Sequence, residues 1–348
     1  LVVLVISCPC ALVISIPLGY FGGIGGASRR GILIKGSNYL DALTKVKTVV
    51  FDKTGTLTKG EFKVSEITTA NGFSKENILE YAAYSEAHSN HPIAKSILEA
   101  YNKTLDINRI KNVNEISGHG IKAVVDEKEI LIGNDKLLHK ENIEHDKCDV
   151  DGTVVHVTVN KKYAGYIVIS DSLKDEAVEA INELNKLKIK TVMLTGDNKS
   201  AAEVYAKKLG IKEYYSELLP ENKVEHIEKL IELSNSGDKV AFIGDGINDA
   251  PVIARADVGI AMGALGSDAA VETADVVLMT DSPMQVVHSI EIAKRTRNIV
   301  WQNIFFAMGV KLVFIFLGIF GIATMWEAVF GDMGVAIIAI LNAMRVMR

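Results

Sequence analysis

The chain has 348 residues, 48% of them hydrophobic, with a mean hydropathy of +0.20 and a net charge of −5 of mixed sign. That length exceeds one average domain and predicts two or three, the apolar content points to membrane segments, and the balanced charge gives no reason to expect a nucleic-acid partner. Three cysteines, two of them in one Cys8–Pro9–Cys10, exclude a disulfide framework and favour a cytosol-facing protein.

The sequence opens on Leu1 inside an apolar run, with neither Met nor a basic segment before it, so it reads as part of something longer and not as a signal peptide. Residues 1–24 are apolar, broken by Cys8, Pro9, Cys10, Pro17 and several glycines. Arg29, Arg30 and Lys35 follow and place the exit of this span in the cytoplasm. A first transmembrane helix is therefore expected over 1–28. Proline inside it frees carbonyls and predicts local unwinding. The two thiols at that break are soft ligands suited to Cu(I), Zn(II) or Cd(II).

Val49, Val50 and Phe51 form a short buried-strand signature that ends on Asp52, and Lys53, Thr54 and Gly55 follow at once. A carboxylate delivered to the carboxyl edge of a sheet, beside a lysine and hydroxyls, can attack a phosphoryl group and carry it.

About a hundred residues separate Thr58 from Tyr163, too many for a loop and sufficient for a small domain. Helices are predicted over 76–88 and 92–101, the second capped by Asn90 or His91 before Pro92. Strands are predicted over 113–116, 121–125, 129–132, 153–159 and 163–169, as an antiparallel sheet in an α+β insert. Gly118–His119–Gly120 and Gly133–Asn134 let backbone approach a ligand, and His91 can stack on or hydrogen-bond a purine. His139, His145 and Cys148, with Asp146 and Asp149, match no zinc spacing, and a solvated polar loop is expected there.

A helix over 174–187 then leads to a strand over 190–194 and the cluster Thr195–Gly196–Asp197. Helices over 200–209 and from Pro220 precede a strand over 239–243, which ends in Gly244–Asp245–Gly246–Ile247–Asn248–Asp249. Strands alternating with helices predict an α/β domain with a doubly wound parallel sheet, all polar clusters along one edge. This domain is assigned to 29–61 and 165–290, with the insert at 62–164.

Lys294, Arg295 and Arg297 precede an apolar run over 299–322, and a second run over 324–344 ends near Arg345 and Arg348. Each suffices to cross a core of ~30 Å, and two transmembrane helices are expected over 298–348. Lys311 and Asp332 each lie twelve residues from the cytoplasmic end of their run, about 18 Å deep at ~1.5 Å per residue. Opposite charges at one depth in lipid form a functional pair.

The block Asp52–Lys53–Thr54–Gly55–Thr56–Leu57–Thr58 resembles the phosphorylation motif of the P-type ATPases, a branch of the haloacid dehalogenase-like (HAD) superfamily. Ser7–Cys8–Pro9–Cys10–Ala11–Leu12 resembles the intramembrane metal motif of their heavy-metal-transporting, type IB, members. The resemblance implies a HAD-like phosphorylation domain in which Asp52 accepts a phosphoryl group from ATP. Such a group needs a cation, for which Lys223 in Pro220–x–x–Lys223 is the candidate, and a hydroxyl, for which Thr195 is placed. It also needs Mg²⁺ on hard oxygens, from Asp52 and Asp245, with the Thr54 carbonyl added by the resemblance. Asn248 and Asp249 complete the family's GDGxNDxP element. Glu86, His91, Gly118, Gly120, Gly133 and Asn134 fall where the family places its nucleotide site, with Thr195, Gly196 and Asp197 beyond it. No Walker-type motif is present, so ATP would be held by base and ribose and its γ-phosphate presented to Asp52 on domain closure.

HAD phosphatases generally carry a second Asp two residues after the nucleophile, where this chain has Thr54. Slow hydrolysis of the aspartyl-phosphate is expected from that difference, which favours a pump over a phosphatase. Asn303 with Lys311, and Asp332–Met333–Gly334, resemble the Zn²⁺/Cd²⁺/Pb²⁺ exporters, whereas copper pumps place Tyr–Asn and Met/Ser residues here. Cys8, Cys10 and Asp332 are the expected ligands of the transported ion, with Lys311 as built-in counter-ion. The expectation is the C-terminal half of a multi-pass plasma- or inner-membrane protein with cytoplasmic catalytic domains. Its actuator domain, Thr–Gly–Glu loop and earlier spans would precede this segment. A Cu⁺-exporting pump and a membrane-anchored HAD phosphatase are the alternatives.

Overall fold

Buried β-branched runs and amphipathic helices alternate through most of the chain, and two different sheets result. The computed structural model describes residues 10–89, 91–116, 119–144, 152–197, 199–246, 249–263, 268–322 and 325–347, without the side chains of 10, 92, 325, 328, 330 and 332. The chain forms two compact units: Leu1–Leu57 with Asp175–Gly196 and Lys208–Arg348, and Thr58–Lys174 with Asp197–Lys207.

The first unit holds a seven-stranded sheet made of β1 (Ile32–Ile34), β2 (Val46–Asp52), β9 (Lys190–Leu194), β10 (Glu213–Tyr215), β11 (Lys239–Gly244), β12 (Val258–Met262) and β13 (Val276–Leu278). Their order is β1-β13-β12-β11-β2-β9-β10, parallel throughout except for β1 against β13. Strands covered on both faces read as continuous apolar runs, and all five residues of β12 are buried. Helices preceding its strands in the chain include α2 (Ser37–Thr44), α6 (Ala177–Lys186), α8 (Pro220–Glu232), α9 (Ala250–Arg255) and α10 (Asp268–Thr273). The expected doubly wound sheet is therefore present. Phe51 pairs with Ile243 on one side and Met193 on the other, so β2, β9 and β11 end side by side at the centre of one edge.

Three apolar helices belong to the same unit: α1 (Cys10–Arg29), α11 (Met284–Ile319) and α12 (Met325–Met344). Pro17 sits inside α1 without interrupting it, so the expected unwinding is absent at that position; residues 1–9 lie outside the description. Proline removes one helical donor while its fixed φ remains helical, and packed neighbours tolerate the rest. The span expected to begin at 299 is the far portion of one 36-residue helix about 54 Å long. That helix ends at Ile319, three residues before the expected limit, and Gly321 at φ +72 closes it.

The second unit is a six-stranded antiparallel sheet of β3 (Thr58–Thr69), β4 (Ile110–Ile116), β5 (Gly120–Val125), β6 (Lys128–Gly133), β7 (Thr153–Val159) and β8 (Lys162–Leu173), in the order β3-β8-β7-β6-β5-β4. Helices α3 (Lys75–Ser85) and α4 (Pro92–Tyr101) cover one face through Ile78, Ala82, Ile97, Val157 and Ile167. α5 (Asp135–Lys140) packs Leu137 and Leu138 with Leu131, Ile143 and Tyr163. Most of α7 (Lys199–Leu209) also falls here, and buried Tyr205 donates its hydroxyl to the Asp171 carbonyl. β3 and β8 pair from Thr58↔Leu173 to Thr69↔Gly165. The boundaries expected at 62 and 164 fall inside these two strands, and the compact unit runs from 58 to 174 because a paired strand cannot be divided between domains. His139, expected in a loop, lies on α5 and contacts Asp135 at 3.1 Å, while 145–149 are outside the description.

Candidate functional site

The turn after β2 decides the first site. Lys53–Leu57 coil tightly, and Gly55 adopts φ +74. A Cβ there would stand 1.7 Å from Oδ2 of Asp245, so only glycine admits that carboxylate beside the turn. Asp52, Asp245 and Asp249 bring one carboxylate oxygen each to within 4.8 Å of one another, although they come from two separate strand ends. Asp52 and Asp249 are 5% and 3% exposed.

Lys223 enters this group from the first turn of α8, whose start is set by Pro220 and by the Asn222 side chain accepting from the Leu219 amide. Its Nζ donates to Asp52 Oδ1 at 2.5 Å and to Asp249 Oδ1 at 2.9 Å. Burial, then the neighbouring Asp249 carboxylate, push the Asp52 carboxyl up to about 7 against the opposing pull of Lys223. Burial alone would lower the Lys223 ammonium, but the two carboxylates outweigh it and raise it above its ordinary value. Three hard carboxylates with one ammonium among them suit a small divalent cation. The buried Thr56 hydroxyl, which has no hydrogen-bond partner among the described residues, adds a polar group at the same turn.

Thr195 is 2% exposed at the end of β9, its amide donating to the Tyr215 carbonyl and its carbonyl accepting from Leu218. Gly196 and Asp197 follow in the bend. Lys53 is buried and Thr54 exposed. Asn248 lies outside the described residues. The double bridge from Lys223 was not legible beforehand, since its partners lie 171 and 26 residues away.

The second site is a pocket of ≈ 300 Å³ in the second unit, lined by Glu86, His91, Gly120, Gly133 and Asn134 of the expected set, by Ser89 and His119 of the same marked stretches, and by Glu115, which was not foreseen. α3 stops at Ser85 rather than at 88, and Glu86 caps it. Burial raises the Glu86 carboxyl, Ser89 opposes it, and Glu115 adds to the rise. His91 caps α4, with Nδ1 accepting from the Ile93 amide at 3.2 Å. Asn134 caps α5 through Leu137 and donates its amide to the His119 carbonyl at 2.9 Å. A Cβ on Gly120 would meet the Ile132 carbonyl at 2.0 Å, and one on Gly133 the His119 carbonyl at 2.1 Å. The glycines thus bring two chain segments together, and only then line the pocket. Gly118 lies outside the described residues.

In the apolar helices, Ala11, Ala307 and Val335 are buried against each other, with Leu12, Val310 and Ala336 around them. These positions neighbour Cys10 on α1, Lys311 on α11 and Asp332 on α12. Cys8 and the side chains of Cys10 and Asp332 are outside the description. Asn303 is committed to helix packing: it donates to the Ala339 carbonyl and accepts from Asn342, both at 2.9 Å.

A buried Asp at the edge of a doubly wound sheet, with a lysine and two further aspartates, fits a HAD-like hydrolase, and the family of haloacid dehalogenase-like hydrolases matches residues 46–257. A zinc-transporting ATPase of Synechocystis sp. is 61% identical over 347 residues, covering 99% of this chain and 48% of the relative. A crystal structure of a zinc-transporting PIB-type ATPase in the E2.Pi state superposes with a TM-score of 0.88 at 39% identity, over 99% of this chain and 57% of that one. The catalytic domain of the CPx-ATPase CopB-B, at 33% identity and a TM-score of 0.60, is covered over 97% of its length by 76% of this chain. The chain belongs to the heavy-metal-transporting P-type ATPases, of the PIB or CPx type. It spans about half the length of the curated relative it matches.

Proposed function

We propose that this chain carries the phosphorylation and nucleotide-binding machinery, and part of the ion path, of an ATP-driven exporter of Zn²⁺ and chemically similar ions. The observation that carries the reading is the buried bridge from Lys223 to Asp52 and Asp249 at the sheet edge. ATP is held in the second unit, where Glu86, His91, Gly120, Gly133 and Asn134 surround a pocket and Gly118 belongs to the same set. A carboxylate oxygen of Asp52 attacks the γ-phosphorus, the bond from phosphorus to the bridging oxygen breaks, and ADP departs with that oxygen's electron pair.

Lys223 holds Asp52 in place before transfer and offsets phosphoryl charge after it, and Thr195 donates its hydroxyl to a phosphoryl oxygen. Lys53 adds positive charge beside the nucleophile, while Asn248 and Asp249 fix the far side, with Gly196 and Asp197 next to Thr195. Mg²⁺ would be held by Asp52, Asp245 and the Thr54 carbonyl, and would neutralise phosphate charge. Thr54 replaces the acid–base Asp of phosphatases, so water attacks the aspartyl-phosphate slowly and the intermediate persists.

The transported ion is the substrate of the membrane helices. Cys8, Cys10 and Asp332 are its ligands, a set of soft sulfur and hard oxygen that suits a borderline divalent ion better than Cu⁺. Lys311 replaces the charge of the departed ion. The shared core of Ala11, Ala307 and Val335 supports this placement, because it joins the helices near the same residues. The protein is an integral membrane protein with both catalytic units in the cytoplasm.

The test is metal dependence in the complete protein. Phosphorylation from ATP should require Zn²⁺ and vanish in Cys10→Ser, whereas equal phosphorylation with and without metal would assign the chain to the phosphatase reading.

A further inference from the structure

We propose that the cytoplasmic end of α11 binds the phosphate of an anionic glycerophospholipid, in a groove that the transport reaction does not use. This rests on the reading that α11 crosses a membrane.

The groove has a volume of ≈ 840 Å³ and is lined by Thr44, Lys294, Arg297, Asn298, Trp301, Gln302 and Phe305. Lys294, Asn298, Trp301 and Phe305 recur at i, i+4, i+7 and i+11, one face of a helix. Chemistry changes along that face in one direction: charged, then amide, then aromatic. Trp301 and Phe305 stack at 5.4 Å between centroids while 45% and 71% exposed.

Depth matches this order. The apolar part of α11 from 299 to 319 is about 31 Å long, the thickness of a hydrocarbon core. Arg297 and Lys294 then lie roughly 3 and 7.5 Å outside the core, at the level of lipid phosphates. Trp301 falls just inside, where tryptophan favours the interface.

The basic groups of this region divide between two tasks. Arg295 donates to the Arg345 carbonyl at 2.9 Å and so ties α11 to the end of α12. Arg297 instead lines the groove, donating one N–H to Thr44 Oγ1 at 3.1 Å. Thr44 Oγ1 in turn donates to the Asp41 carbonyl. Lys47 and Glu291 act on Lys294, and Asp41 and Arg297 act together on Tyr20, so three cations against two acids leave the rim with an excess of positive charge. Basic pockets on the cytoplasmic side of membrane helices recruit anionic headgroups, and the adjacent aromatic and apolar face accepts the glycerol and upper acyl chain. A soluble anion would need the charges alone and would leave Trp301 and Phe305 without a role.

The chain is reconstituted into nanodiscs of phosphatidylcholine carrying either a photoactivatable phosphatidylglycerol or a photoactivatable phosphatidylcholine, and the labelled peptides are mapped. Phosphatidylglycerol should label residues 294–305 preferentially. Lys294→Gln should lower that labelling by about five-fold, the effect of one charge near an anionic surface, and Lys294→Arg should retain it. Soluble glycerol phosphate should not compete. Equal labelling by both lipids, indifference to Lys294→Gln, or displacement by glycerol phosphate would each overturn the proposal. If the chain fails to insert even into phosphatidylcholine, the membrane reading itself fails, and the two failures are told apart by that control.

Discussion

Replacing Lys223 by Met isolates the electrostatics of the phosphorylation site. Its ammonium bridges Asp52 at 2.5 Å and Asp249 at 2.9 Å, with side chains only 11%, 8% and 4% exposed. Asp245 completes a trio of carboxylates within 4.8 Å. Removing one partner of a buried ion pair leaves uncompensated charge and costs about 3–5 kcal/mol. Because roughly 1.4 kcal/mol is tenfold, amide exchange in β2 and β11 should accelerate by about 100- to 4,000-fold in Mg²⁺-free buffer. Hydrogen exchange read by mass spectrometry on peptides spanning 46–57 and 239–246 measures this, and the tryptophans, both outside the sheet, would not. Adding Asp52→Asn to Lys223→Met should recover most of the loss, since one carboxylate goes with its partner. Acceleration below threefold in the single variant, or no recovery in the double one, would refute the view that Lys223 neutralises this cluster.

Three further outcomes follow from the same geometry. Because the Asp52 carboxyl is raised to about 7, its protonated form contributes stability that is fully present below the unfolded value near 4 and is lost as pH rises through about 7. In EDTA, the stability difference between wild type and Asp52→Asn should therefore shift in favour of the variant between pH 5 and 8, by thermal melts followed in the near-ultraviolet, and a constant difference would contradict it. Gly55→Ala drives a Cβ into Asp245 at a backbone of φ +74, and should weaken Mg²⁺ binding by roughly 10–100-fold in calorimetric titration. Gly120→Ala pushes β5 away from the Ile132 carbonyl, and ATP affinity by equilibrium dialysis should drop more than about tenfold, as misplacement by an ångström allows.

Much of the phosphorylation site was legible because each of its groups closes a buried strand. β2 and β9 are apolar runs cut off by polar residues and glycine, and that punctuation alone locates Asp52 and Thr195. Pro220 likewise marks the start of α8 and hence the height of Lys223. β3 left no such mark: Thr58–Thr69 is mostly exposed and carries Lys59, Glu61, Lys63 and Glu66, so its strand state comes from pairing with β8, about a hundred residues later. The same long-range pairing moved the edges of the inserted unit. α5 is only six residues long, and its cap Asn134 resembled a ligand-binding residue more than a helix start. The continuity of α11 was hidden because its first half is amphipathic and packs on the sheet domain, whereas its second half is apolar apart from Gln302, Asn303 and Lys311. Glu115 escaped notice because a pocket wall is set by which strands adjoin, and β4–β5 pairing brings it beside Glu86.

The account stands on Asp52 as the group that stores phosphate. Incubating the chain with γ-labelled ATP, Mg²⁺ and Zn²⁺, quenching in acid and mapping the label measures this directly. One acid-stable, hydroxylamine-labile phosphate on Asp52, absent from Asp52→Asn, is the predicted result; label on a serine or threonine, or label that persists in Asp52→Asn, would contradict it.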